Sequence, residues 1–424
     1  MISDTYRKTV LPTGITLITE RMPERRSVSL GVWVRSGARD EPRERLGISH
    51  FIEHMMFKGT ERRDARAIAQ SLESLGGHLD AFTAREQVCY YGRALTDHLP
   101  EMVDVLADIV CRSQMIPGEV VREKSVVREE ILSSEDSPED KVSELLSEQV
   151  WGDHALGRPI LGTTETVDGL SSEVLREYFH HRYRPDHLVV AAAGAVDHDP
   201  LAEMVGRHFA PPDGAALPLD REPSVFAPRV LHLERDLQQL YVSLGTRGIP
   251  DTHADRYPLL VLNTLLGGGM SSRLFQSVRE QAGLAYSVYS ALDFYRDSGM
   301  VSIHMGVSPA RGRDALALTR QELDRLCREG PEQAEVDDAR SQIRGNVLME
   351  HESVSSRMVH LAHEEIYRGT HTGAEELVRR VMAVTPDQVA DVARRFLAPE
   401  RFTLVVLGPA EGGALTERDW EVAA

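Results

Sequence analysis

Val28-Ser29-Leu30-Gly31 recurs as Val242-Ser243-Leu244-Gly245, an offset of 214 positions (28 to 242). The same offset lays Pro185 on Pro399 and Gly194 on Gly408. The surroundings agree in kind. Ser171–Arg184 is amphipathic with helical spacing, then comes Pro185, then the apolar run Leu188–Gly194. Thr385–Ala398, Pro399 and Phe402–Gly408 repeat that order. Because 214 is close to half of 424, the pattern predicts two globular domains of one ancestry, not a solenoid of short repeats. The junction is expected in Ala210–Pro218, rich in Pro, Ala and Gly, which gives domains 1–212 and 213–424.

Each copy opens with strand-like sequence. Thr16–Thr19 and Ser27–Arg35 alternate and are rich in β-branched residues. A helix carrying His50–Phe57 follows, then one near Ala65–Leu75 closed by Gly76-Gly77, then strand-like Leu79–Thr83 and Gln87–Ala94. Helices are expected from Thr96 to about Cys111 and from Gly118 to about Val150. The second should break near Ser134–Ser137, because Ser137-Pro138 reads as an N-cap with Pro at the first helical position. Runs of strands followed by runs of helices predict an α+β fold with largely antiparallel sheets.

The chain carries 48 Lys+Arg against 66 Asp+Glu, a net charge of −18, with 42% hydrophobic residues. That hydrophobic share supports a folded core. The negative balance argues against nucleic-acid binding, which needs a basic face. No apolar run approaches the ~20 residues of a membrane span, and Met1–Lys8 has no apolar signal region. Cys89, Cys111 and Cys327 are widely spaced, with no C-x-x-C. This usage fits a reduced, cytoplasmic protein.

The chemistry is concentrated in His50-Phe51-Ile52-Glu53-His54. On a helix, residues i and i+4 project to one face, so both imidazoles can reach one ion, with Glu53 at the edge of that face. Zinc suits such donors, and H-x-x-E-H is the inverzincin signature. Phe51, Ile52, Met55, Met56 and Phe57 make the segment too apolar for an exposed helix bearing two incidental histidines. Downstream, Glu123 and Glu130 are two helical turns apart on one face. One could complete the metal site while the other orients a ligand histidine; their spacing leaves the assignment open. The 214 offset lays His50 on Thr264, Glu53 on Gly267 and His54 on Gly268, so one zinc ion per chain is expected. Gly267-Gly268-Gly269 reads as mobile or closely approached backbone, or as a helix C-cap.

His50–His54, Gly76–Thr83, Glu123–Glu130 and Arg279–Tyr286 together resemble the insulinase/pitrilysin family of zinc peptidases, in the branch of the processing peptidases. The resemblance spans essentially the whole chain. It implies that His50, His54 and Glu130 are the zinc ligands, Glu53 the general base and Glu123 the carboxylate behind a ligand histidine. It implies that Arg279 and Tyr286 join the active site from the second half. It makes Leu79–Thr83 a strand to which an extended peptide adds, so Asp80, Ala81, Phe82 and Thr83 contact substrate. The family usually has Asn where this chain has Asp80. Asp140 and Glu144 match acids that receive basic substrate residues. A two-domain chain resembles half a clamshell, which implies a homodimer or a heterodimer with a related chain. The expected activity is endopeptidase cleavage of short or unfolded peptides. The alternatives are a non-catalytic scaffold or partner subunit and a zinc hydrolase of small molecules.

Overall fold

A computed structural model describes residues 5–211, 218–219, 221–222, 226–410 and 415–421. The junction expected at 212/213 lies outside the described residues. By packing, the chain forms two compact units. The first draws on residues 1–133, 158–221 and 349–373, the second on 134–157, 222–348 and 374–424.

In the first unit, β1 (Tyr6–Val10), β2 (Thr16–Arg21), β3 (Ser27–Val34), β4 (His78–Thr83), β5 (Val88–Leu95) and β6 (Leu188–Gly194) form one sheet in the order β1-β2-β6-β3-β5-β4. In the second, β7 (Val230–Glu234), β8 (Leu240–Arg247), β9 (Ala285–Phe294), β10 (Gly299–Val307) and β11 (Thr403–Gly408) run in the order β7-β11-β8-β10-β9. The two orders superpose when β2-β6-β3-β5-β4 is laid on β7-β11-β8-β10-β9. In each sheet one pairing is parallel, β2 with β6 and β7 with β11, and the others are antiparallel. The repeated Val-Ser-Leu-Gly stretches lie at equivalent places in β3 and β8. The fold is α+β in two like domains, as the sequence pattern predicts.

β3 is buried on both faces, so the alternation in Ser27–Arg35 separates two packed faces, not a buried face from a solvated one. Val28, Leu30, Val32 and Val34 pack with Ile48, Phe51, Ile52, Met55 and Met56 on one side. Trp33 packs on the other with Met358, Leu361 and Ala362. A Cβ on Gly31 would lie 2.4 Å from the Trp33 ring and 3.2 Å from the Met358 sulfur. In the second copy, a Cβ on Gly245 would lie 2.9 Å from Val150 and 3.0 Å from Leu146. The repeated glycine thus marks, in both copies, the point where a helix lies close on the sheet.

Those covering helices are exchanged between the halves. Val354–Arg368 comes from the second half of the sequence and covers the first sheet. Pro138–Trp151 comes from the first half and covers the second. Adding 214 to 138–151 gives 352–365, so the two helices are equivalents. The linear division at 212/213 therefore differs from the packing units by one helix each way. No helix among the described residues is long and apolar enough to cross a membrane.

A fragment of residues 1–212 should leave Ile18, Trp33, Val189, Ala191 and Ala193 without their covering helix and be insoluble or bind hydrophobic dye strongly. Adding a peptide of residues 349–373 should reduce dye binding and, in a Trp151→Phe background, blue-shift Trp33 fluorescence, while the apolar face of Pro138–Trp151 stays uncovered.

Candidate metal centre

The helix Ile48–Met56 buries Ile48, Phe51, Ile52, Met55 and Met56 in the first unit's core. Gly47 precedes it at φ 84°, where a Cβ would meet Leu161 O at 2.4 Å, and supplies no side-chain cap. The cap comes from Glu41 instead. Its Oε2 accepts the Gly47 N–H at 2.7 Å and its Oε1 the Ser49 N–H at 2.8 Å. These satisfy N–H groups that a helix start leaves unpaired. Burial pushes the Glu41 carboxyl up to about 8, against the pull of those two donors.

With its apolar side fixed, the helix presents His50 and His54 to the helix Pro117–Asp136, which carries Glu123 and Glu130. Glu130 Oε1 lies 3.5 Å from His50 Nε2, and Oε2 lies 3.4 Å from His54 Nε2. One ligand atom from each of His50, His54 and Glu130 falls within 4.8 Å of the others. Two imidazole nitrogens and a carboxylate oxygen are zinc donors, and bonds of about 2.0–2.1 Å would set tetrahedral donors roughly 3.3 Å apart. The donor set and its spacing fit the ion.

Glu123 stands behind this group. Its Oε1 accepts a hydrogen bond from His54 Nδ1 at 2.9 Å, and its Oε2 pairs with Lys58 Nζ at 2.7 Å. The Glu123 side chain is 4% exposed. Burial would push its carboxyl up, but hydrogen bonds from His54 and Lys58 outweigh that and hold it below the usual range. Burial likewise opposes charge on His54, yet Glu123 and Glu130 raise it to about 9. Hydrogen bonds from His50 and His54 lower Glu130 strongly.

Glu53 accepts a hydrogen bond from Thr83 Oγ1. Burial raises its carboxyl above the ordinary value, against Thr83, His50 and His54. Thr83 ends β4, which pairs only with β5 among the described residues and so offers an edge. Along β4, Ala81 packs toward the core that holds the ligand helix, and Phe82 toward the opposite face. Asp80 is engaged with its own neighbourhood. Its Oδ1 accepts the Ala81 N–H at 2.8 Å and its Oδ2 the Tyr91 hydroxyl at 3.2 Å.

The remaining expected site residues lie in the second unit. Arg279 sits in a π-helical segment, Phe275–Gln281, a form frequent at functional sites. Its guanidinium lies 4.6 Å from the Phe275 ring centroid and 5.7 Å from that of Tyr286. Tyr286 is 77% exposed at the start of β9. Asp140 lies in the first turn of its helix, and Glu144 pairs with Lys141 at 3.1 Å. A Cβ on Gly267 would lie 2.4 Å from Ser290 N in β9, so close approach is the constraint at the start of the glycine run.

The structure thus brings together His50, Glu53, His54, Thr83, Glu123 and Glu130 in one unit, and Arg279 with Tyr286 in the other. Sequence reasoning missed Glu41, Lys58 and Phe275. Phe275 carried a local signal, since i and i+4 on a helix meet, and so did Lys58, four residues after His54. Glu41 carried none.

Two family profiles match the chain, one after the other. The profile of the insulinase family (peptidase family M16) matches residues 16–164, and that of the peptidase M16 inactive domain matches residues 169–343. A protein of Mycobacterium tuberculosis named as an uncharacterized zinc protease is 41% identical over 412 residues, 95% of this chain and 93% of that protein. YmxG of Bacillus subtilis, named likewise, is 38% identical over 397 residues, 94% and 97% of the two chains. Among solved structures, a Pseudomonas fluorescens protein described as a peptidase M16 inactive domain superposes with a TM-score of 0.90 at 21% identity, covering 95% of this chain and 98% of that one. A chain of complex III2 from Candida albicans gives 0.85 at 20% identity, covering 99% of each. These structural likenesses show the fold.

Equilibrium dialysis should find one zinc ion per chain, with His54→Ala or Glu130→Gln removing tight binding. Glu123→Gln should keep the stoichiometry and weaken affinity by about 10–100-fold in competition with a chromophoric chelator.

Proposed function

Since the chain belongs to the insulinase family of zinc peptidases (peptidase family M16), we propose that it is an endopeptidase that hydrolyses short or unfolded peptides, with one zinc ion held by His50, His54 and Glu130. The observation that carries this reading is the convergence of those three ligand atoms within 4.8 Å, two of them from the helix that also carries Glu53.

Zinc, when bound, lowers the pKa of a coordinated water and polarises a carbonyl oxygen. The chain's own residues supply the rest. Glu53 takes the proton of the attacking water and passes it to the leaving amine. Burial raises its carboxyl toward neutrality, which suits a group that must both accept and release a proton. The hydrogen bond from Thr83 fixes one carboxylate oxygen and leaves the other for water. The edge of β4 accepts an extended peptide through backbone hydrogen bonds along Asp80, Ala81, Phe82 and Thr83. Such contacts tolerate many sequences. Arg279 and Tyr286 donate hydrogen bonds to the oxyanion that develops on the scissile carbonyl. Asp140 and Glu144 favour basic residues near the cleaved bond. Lys141 already pairs with Glu144, which leaves Asp140 the stronger contributor. In this reading the chain is cytoplasmic and works as a pair, with a copy of itself or a related chain.

One observation favours a second reading, a non-catalytic scaffold or partner subunit. It is the match to a peptidase M16 inactive domain. That match covers residues 169–343, which contain none of the three ligands, so it bears on the second half.

With a fluorogenic peptide, metal-replete protein should cleave, a chelator should abolish cleavage and zinc should restore it. Glu53→Gln should lower kcat by about 10²–10⁴-fold while keeping its zinc. Cleavage that survives both treatments would refute the zinc mechanism, and its absence from metal-replete protein would leave the scaffold reading.

The pH profile offers a second check. Thr83 stabilises the charged form of Glu53, so Thr83→Val should raise its pKa further. The base is active when deprotonated, so the acidic limb of kcat/KM should move to higher pH, with activity lost first on the acid side.

A further inference from the structure

Lys58 lies four residues beyond His54, one further helical turn, so the ligand motif continues as His50-x3-His54-x3-Lys58. The helix ends at Met56, but the Lys58 N–H still donates to Met55 O at 3.1 Å, which holds the turn. From there the ammonium reaches Glu123 Oε2 at 2.7 Å, while Glu123 Oε1 accepts from His54 Nδ1 at 2.9 Å. Each carboxylate oxygen therefore serves one partner, and Glu123 bridges Lys58 to His54.

We propose that Lys58 is a positioning residue of the metal centre: it anchors the buried Glu123 carboxylate so that Glu123 holds His54 with Nε2 turned toward the ion. This inference rests on the reading of His50, His54 and Glu130 as zinc ligands. The physical need is specific. A histidine that binds metal through Nε2 is a neutral imidazole, and its Nδ1–H is an uncharged donor. A carboxylate as buried as Glu123 requires a charged partner as well as a hydrogen bond, since an uncompensated buried charge is costly. Lys58 supplies that charge on the oxygen His54 leaves free. Without it, the carboxylate would be free to rotate away from Nδ1 toward solvent or other donors, and the imidazole would lose its fixed orientation. The Lys58 side chain is only 30% exposed, so its stem is largely covered, and a substitution that keeps the stem isolates the charge. Its role is the ion pair.

A double-mutant cycle on the full chain, read as zinc affinity against a chromophoric chelator, tests this without reference to peptide cleavage. Lys58→Met keeps a stem of similar length and should weaken zinc by about 10-fold or more, within the span typical of outer-shell partners. Lys58→Arg should recover most of that loss. Once Glu123→Gln has been introduced, Lys58→Met should cause no further loss, because Lys58 acts through Glu123. A thermal midpoint for each metal-free variant separates lost orientation from lost folding. Native affinity in Lys58→Met would overturn the proposal, as would an equal loss in the presence and absence of Glu123. If the native chain itself fails to bind zinc, the ligand assignment fails and this inference with it. If it binds zinc yet cleaves no peptide, only the peptidase reading fails.

Discussion

The metal centre depends on how one short helix is fixed. Ile48–Met56 is nine residues long, too short to be stable by itself, and it must hold two imidazoles and a carboxylate in register. Its apolar flank does this. Five buried side chains lock it to the inner face of the first sheet, each contributing roughly 1.5–3 kcal/mol of burial. Glu41 then closes its N-terminus from a preceding loop. The polar residues that carry the chemistry are held by neighbours that carry none of it.

Around that helix the charges are arranged in a chain. Glu130 faces both imidazoles, His54 leans on Glu123, and Glu123 leans on Lys58. Glu53 is set apart, held by the neutral hydroxyl of Thr83. The difference matters for chemistry. A carboxylate paired with cations is a poor base, because its charged form is already stabilised, whereas one raised by burial accepts a proton more readily. Glu123 and Glu130 lie on the first side of that line and Glu53 on the second. The chain's overall −18 has little bearing on this; local partners decide.

Much of the fold was legible because its signals are periodic. The 214 offset, the alternation in Ser27–Arg35 and the Ser137-Pro138 cap can all be read along the chain, and the strand order repeats as the offset requires. The exchange of helices was not legible. An amphipathic pattern states that Pro138–Trp151 and Val354–Arg368 each have an apolar face, but not which sheet receives it. At the site, His50, His54 and the two glutamates stood out through helical spacing, while that spacing could not tell Glu123 from Glu130. Glu41 was hidden because it caps across an irregular loop. The close approach at Gly31 needed Trp33 folded over it in three dimensions.

The second copy shows what became of the same positions without a metal. Glu53 corresponds to Gly267, and β4 corresponds to β9. In the first copy the ligand helix meets its edge strand through side chains, the Glu53 carboxylate on the Thr83 hydroxyl. In the second, the helix Arg256–Gly267 meets its edge strand through backbone, with Gly267 so close to Ser290 that a Cβ would sit 2.4 Å from its nitrogen. A glutamate at 267 would have to displace a strand that is buried at Val288 and Ser290. Where the motif residues are absent, the helix and its edge strand pack more closely. A close-packed interior does not reopen for one side chain without strain, so replacing Thr264, Gly267 and Gly268 with the three motif residues would not recreate a site. The asymmetry between the halves is built into the backbone: the first copy has room for the motif side chains beside its edge strand, and the second does not.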